Sequence, residues 1–407
     1  MLLEESSNLE KNLNLIMELS KITKGFTESV IREMTRVANE HEGSINLAQG
    51  FPDFSAPDSI KNAAIEAIKA DINQYAITWG SPSLRAAIAE KVSQYNKMKS
   101  VDSNKNITVT CGSTEAMISS MKAIINPGDE VIIFEPFYEN YGPDCLLSGA
   151  EPRYLELKAP EWNFDFEKLE QLFNNKTKAI ILNTPNNPTG KVFNEKELKY
   201  IADLCIKYNC IAVTDEIYEH ILYDNHNHFS IASLPEMEEH SITINSISKT
   251  YSLTGWRVGW AIASENITNE IKKVHDFLTV GAPAPLQEAA AFALSLDTNY
   301  YTWLASFYQN ARDVLYDALK QTNLEPIKPD GAYYIMTNCE EYMKQHNLSN
   351  SYDLALHLIK NIGIATVPGS SFYADPISGQ FQTRFCFCKK EETLKMAVSY
   401  LEKLYKE

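Results

Sequence analysis

Five short apolar runs recur in this chain, each followed by small or polar residues. They are Ile107–Thr110, Glu130–Phe134, Lys178–Leu182, Cys210–Thr214 and the start of Ser241–Ala263. Apolar runs this short, bounded by turn residues and separated by helical periodicity, are strands of a parallel α/β sheet. Helices are expected over Phe26–Asn39, Asp58–Ala70, Ser83–Tyr95, from the Cys111–Ala116 turn on through Ile125, Glu195–Tyr208, Leu286–Leu296 and Tyr300–Gln321. His275–Pro285, with Gly281, Pro283 and Pro285, reads as a loop, and Ile327–Met336 as strand-like. Ligands of such sheets bind beyond the carboxyl ends of the strands, so the residues there are the first candidates for chemistry.

The richest of these ends is SITINSISKTYSLTGWRVGWAIA, Ser241–Ala263. The strand breaks into Ser246, Ser248, Lys249 and Thr250, passes Thr254-Gly255, presents Arg257 and becomes apolar again. An ammonium is seldom left unpaired beside a buried strand. Desolvation there lowers its pKa and frees the nucleophilic amine. Arginine and hydroxyls hold phosphate. Together they suit a Schiff base to pyridoxal 5'-phosphate, and the alternative is an ordinary surface lysine in a turn.

Four other strand ends carry weaker signals. Cys111-Gly112-Ser113-Thr114-Glu115-Ala116 leads from a strand into a helix, where backbone N–H groups and the helix dipole suit an anion. It has neither Walker nor GxGxxG spacing. Tyr138 belongs to an aromatic cluster that could stack on a flat ligand or form a core corner. Asn183–Gly190 puts amide side chains at a fixed turn, and Asp215-Glu216-Ile217-Tyr218 ends the fourth run. Gly50, before Phe51-Pro52, marks a turn where backbone can approach a ligand closely. Arg384, between Thr383 and Phe385, needs an anionic partner if buried, whether a ligand or a structural acid.

The chain is long enough, at 407 residues, for two or more compact units. Its net charge of −16 argues against nucleic acid and anionic membranes as partners. No run reaches membrane-spanning length, and the seven cysteines form no CxxC pair, so no metal site is expected. The N-terminus has no apolar core of a signal sequence, which suggests a cytoplasmic protein. Leu9, Leu13, Ile16 and Leu19 fall near helical spacing, a short amphipathic helix or a frayed tail.

In order, LAQGFPDF, NQYAITWGSPSLR, CGSTEA, NTPNNPTG, TDEIYEH, NSISKTYSLTGWRVGW and VPGSSFY resemble the class I/II, fold-type-I PLP-dependent aminotransferases. The resemblance runs from about residue 25 onward and is closest to the branch of kynurenine–oxoglutarate, glutamine and methionine transaminases. It implies an α/β fold: a large PLP-binding domain at 60–295 with a mostly parallel central sheet flanked by helices. A smaller α+β domain would comprise 25–59 and 296–407, after an N-terminal extension at 1–24.

The resemblance also implies roles. Lys249 would carry PLP as a Schiff base and then act as the catalytic base. Asp215 would pair with the pyridine nitrogen, Tyr218 and Asn187 would bond the ring oxygen, and Tyr138 would stack on the ring. Ser113, Thr114, Ser246 and Arg257 would hold the phosphate, with Tyr75 from a partner subunit, so a homodimer is implied. Arg384, Asn187 and Gly50 would bind the substrate carboxylate. The implied activity is ping-pong transfer of an amino group from a neutral or aromatic L-amino acid to a 2-oxo acid. Alternatives are a cysteine-conjugate β-lyase or another PLP enzyme on the same scaffold, and a non-enzymatic PLP-fold ligand sensor. Ser29–Met34 lacks the tryptophan that the kynurenine branch usually carries there, and no second arginine for a distal carboxylate stands out.

Overall fold

The computed structural model describes residues 19–405. Of the expected amphipathic positions, Leu9, Leu13 and Ile16 lie outside them. Among the described residues twelve strands form three sheets. In chain order they are β1 Ile45–Asn46, β2 Ile107–Thr110, β3 Glu130–Glu135, β4 Glu151–Glu156, β5 Thr177–Asn183 and β6 Ile211–Asp215. There follow β7 Ser241–Ser246, β8 Gly259–Ala263, β9 Tyr334–Asn338, β10 Ile364–Ala365, β11 Val367–Pro368 and β12 Gln382–Cys386.

The large sheet has the order β2-β8-β7-β6-β5-β3-β4. Every strand but β8 runs in one direction. β2, β6, β7 and β8 are buried along their whole length, as strands covered by helices on both faces must be. β8 reverses: the β7–β8 connection carries turns and the 3-10 turn Thr254–Trp256, but no helix of the kind that usually makes a parallel crossover. The carboxyl ends of β2, β3, β5, β6 and β7 therefore open on one edge.

The remaining strands build two small sheets, antiparallel β11-β12-β9 and parallel β1-β10. One apolar cluster joins Met336 and Val367 of the small sheets to Ile180, Leu182 and Ala212 of the large one. A second gathers Leu47, Tyr218, Tyr333 and Phe385. The candidate residues lie where these layers meet.

Three expectations fail locally. The helix expected from Phe26 starts only at Val30, where the Ser29 hydroxyl caps it by accepting from Arg32 N at 3.3 Å. His275 is in a helix, Glu265–Leu278, buried and bonded through Nδ1 to Glu115 at 2.6 Å. The loop therefore shrinks to Thr279–Pro283, because glycine and proline end the helix later than their density suggests. β9 begins only at Tyr334, since Gly331 is held outside it by a bond from its N–H to Gly190 O at 2.9 Å.

Candidate active site

One cavity of ≈ 200 Å³ collects the strand ends. The helix Ser113–Ile124 starts at Gly112, φ 84°, with no side chain capping its first N–H groups, and Ser113 and Thr114 line the cavity. A Cβ on Gly112 would sit 2.3 Å from Arg257 Nη2, so only glycine lets that guanidinium lie across the helix start. Arg257 is exposed and donates to two carbonyls, Thr254 O at 3.0 Å and Cys111 O at 3.5 Å. Open N–H groups beside such a cation form an anion site.

Lys249 follows β7 and is only partly exposed. Its Nζ donates to Gly50 O at 3.0 Å and lies 5.9 Å from the Tyr218 ring centroid. Burial pulls its pKa down to about 8, with repulsion from Arg384 and Arg257 opposed by Cys388 and Asp215. Asp215 ends β6. Burial pushes its carboxyl up to about 6, against a hydrogen bond from Tyr141 Oη at 2.9 Å and one from Ile217 N at 3.3 Å. The site thus offers an amine that loses its proton near neutrality and a carboxylate that keeps its charge there.

Arg384 in β12 is fully buried. Nη1 donates to Asn187 Oδ1 and Nη2 to Ala48 O, both at 2.7 Å. The guanidinium stacks 4.2 Å from the Tyr334 ring, and among the described residues Nε has no partner. Among the described residues it pairs with no carboxylate. A buried cation left so is costly unless an anion arrives.

Gly50 O accepts from both Lys249 and Tyr333 Oη, the latter at 2.9 Å. A Cβ on Gly50 would lie 2.1 Å from Tyr334 Oη, and Tyr334 is locked by Tyr218 Oη at 2.9 Å. Gly50→Ala is therefore expected to cost about 1–3 kcal/mol by overpacking. Denaturant titration measures this, and a variant as stable as the parent would refute the steric reading.

Tyr138, Asn187 and Tyr218 also line the cavity. Ser246 does not: its Oγ accepts from Ser248 N at 3.0 Å, and Ser248 is on the wall instead. Tyr75 is 87% exposed and is not on the cavity wall of its own chain. Tyr141, Asn183, Ser248, Tyr334 and Asp144 line the cavity too, and the sequence assigns none of them a role. Tyr141 stood in the flagged aromatic cluster. Asp144 gave no signal: it is buried with Oδ2 unpartnered, and burial pushes it up to about 8.

The description of aminotransferase class I and II matches residues 42–401. The chain is 37% identical to human kynurenine–oxoglutarate transaminase 3 over 93% of its own length and 88% of that protein. A solved Escherichia coli structure, assigned a methionine aminotransferase function, superposes with TM-score 0.89 at 33% identity, covering 96% of this chain and 100% of that one. The aromatic aminotransferase of Pyrococcus horikoshii superposes with TM-score 0.83 at 31% identity, covering 91% and 98%.

Proposed function

Since this chain belongs to the class I and II aminotransferases, we propose that it moves the amino group of a neutral or aromatic L-amino acid onto a 2-oxo acid in two half-reactions. The observation that carries this reading is the pairing of Lys249, lowered to about 8, with the buried, acid-free guanidinium of Arg384 in one cavity.

Enzymes of this class use pyridoxal 5'-phosphate, which accepts the electrons released at the substrate Cα and carries the amino group between the half-reactions. The cavity's chemistry suits that group. Arg257 and the uncapped helix start at Ser113 and Thr114 would take a phosphate. Asp215 would face a ring nitrogen and hold a proton on it. Tyr138 would cover a ring face, with Tyr218 and Asn187 at its polar edge.

Arg384 would orient the substrate's α-carboxylate. Two of its donors are already fixed by Asn187 and Ala48, so little ordering is left for binding. Lys249 Nζ would move the proton to and from the substrate Cα. Gly50 O keeps that amine directed into the cavity. Tyr334 carries the Arg384 plane on its ring and bonds Tyr218, joining the carboxylate anchor to the polar edge.

A homodimer fits this reading. Tyr75, Ile77, Trp79, Phe277 and Val280 are exposed, and His275 Nε2 lies 2.8 Å from Thr78 O, which sets the two segments side by side. A patch of that kind suits a second copy. All seven cysteines are free thiols, which suits the reducing cytoplasm. Among the described residues no helix is long and apolar enough to cross a membrane.

The test is to add single amino acids to the PLP-loaded protein without a 2-oxo acid and follow its visible absorbance. Conversion to the pyridoxamine form by methionine, glutamine, phenylalanine or kynurenine is the expected result. Pyruvate and ammonia from a cysteine conjugate as the sole products would replace transfer by β-elimination. Light scattering that returns the mass of one chain would remove the dimer, and export of the protein from the cell would remove the cytoplasmic assignment.

A further inference from the structure

A third arginine lines the same cavity, beside Arg257 and Arg384, and no role above uses it. Arg32 stands in the first turn of the helix Val30–Asn39, is exposed, and lines the cavity with Ser29, Ile31 and Glu139. A cation at that position works against the helix dipole, which is positive at the N-terminus. The two acids nearest to it in sequence are engaged elsewhere. Glu28 pairs with Arg36 at 2.5 Å, and Glu33 accepts from Tyr352 Oη at 2.8 Å. The rim acid Glu139 is held by the Ser29 hydroxyl, which also accepts from Arg32 N at 3.3 Å. Among the described residues no carboxylate pairs with the Arg32 guanidinium. In a chain with 53 acidic and 37 basic residues, a cation without an acid at the mouth of an anion-binding cavity points to a ligand.

We propose that Arg32 receives the distal carboxylate of a dicarboxylic 2-oxo acid or amino acid whose α-carboxylate is held by Arg384. This rests on the aminotransferase reading of the cavity. The guanidinium is exposed and free to swing on its flexible stem, so a neutral side chain can displace it and pack on Ile31. One cavity then serves a neutral donor and a dicarboxylic acceptor without a rigid second anion site. Glu139 is the opposing charge on the same rim and disfavours a second carboxylate.

The experiment compares the PLP-loaded full chain with its R32Q and E139Q variants. The first readout is the ratio of kcat/KM for 2-oxoglutarate to that for pyruvate. A charge-assisted contact of this kind is worth about tenfold, so the ratio should fall by about that factor in R32Q, mostly through KM. It should rise in E139Q. The second readout is calorimetric binding of glutarate against butyrate, which needs no turnover. R32Q should weaken glutarate by about tenfold relative to butyrate. Ratios unchanged in R32Q by both readouts would overturn the role of Arg32. If the parent turns over no 2-oxo acid, the functional reading falls, and glutarate binding still decides for or against Arg32.

Discussion

Lys249→Ala is expected to lower turnover by at least about 10³, because a positioned general base alone supplies roughly 10²–10⁴. No neighbouring group can take over. The amine sits beside Gly50 O, with its pKa drawn down to about 8 chiefly by burial. Asp215 is tied to Tyr141 and Ile217, and Tyr218 is held far above neutrality by burial, so neither is a base of matching strength. The variant should still fold. In the cofactor-free protein a lysine with a lowered pKa destabilises the fold while it is protonated, and this cost disappears as pH rises from about 8 toward the unfolded value near 10.5. The cofactor-free variant should therefore match or exceed its parent in stability at pH 7. Steady-state assays with an amino acid and a 2-oxo acid, beside denaturant titration, check both halves. Retention of a tenth of the parent's turnover would remove Lys249 from the centre of the reaction.

Asp215→Asn should move activity and stability in opposite directions. Loss of the carboxylate opposite a charged ring nitrogen should reduce turnover by about 10²–10³, the usual worth of one preorganised electrostatic partner. The stability effect follows from a carboxyl raised from 3.8 to about 6. The native state binds the extra proton between those values, so stability falls as pH rises through them and the cost is complete above about 6. The shift corresponds to about 3 kcal/mol. Asparagine removes the charge and keeps an acceptor for Tyr141. The cofactor-free variant should therefore gain about 1–3 kcal/mol at pH 8 and nearly nothing at pH 4. Unfolding curves at the two pH values read this directly. An equal gain at both would mean that packing, not charge, is responsible.

The strands and their carboxyl ends were legible because burial on both faces leaves continuous apolar runs, and a chemical side chain placed just after one has few structural excuses. Lys249, Asp215 and Asn187 could be found in that way. Tyr334 could not, because its position is set by a fit against Gly50, far away in sequence. A turn of serines does not say which hydroxyl faces inward: Ser246 is the one expected at the phosphate, and Ser248 is the one on the cavity wall. Arg32 lies on an ordinary amphipathic helix, and only the pairing of its neighbouring acids with other groups sets it apart.

The short pairing of Ile45 with Ile364 has a consequence for biosynthesis. The segment just after Ile45 supplies Ala48 O to Arg384 and Gly50 O to Lys249. An early stretch of the nascent chain must therefore wait for strands made more than three hundred residues later. The large sheet can close while translation continues, since β2 through β8 are contiguous in the message. The carboxylate anchor cannot form until the last strand has left the ribosome. Amino acids abundant in the surrounding solution thus meet a complete binding cavity only when the polypeptide is nearly finished.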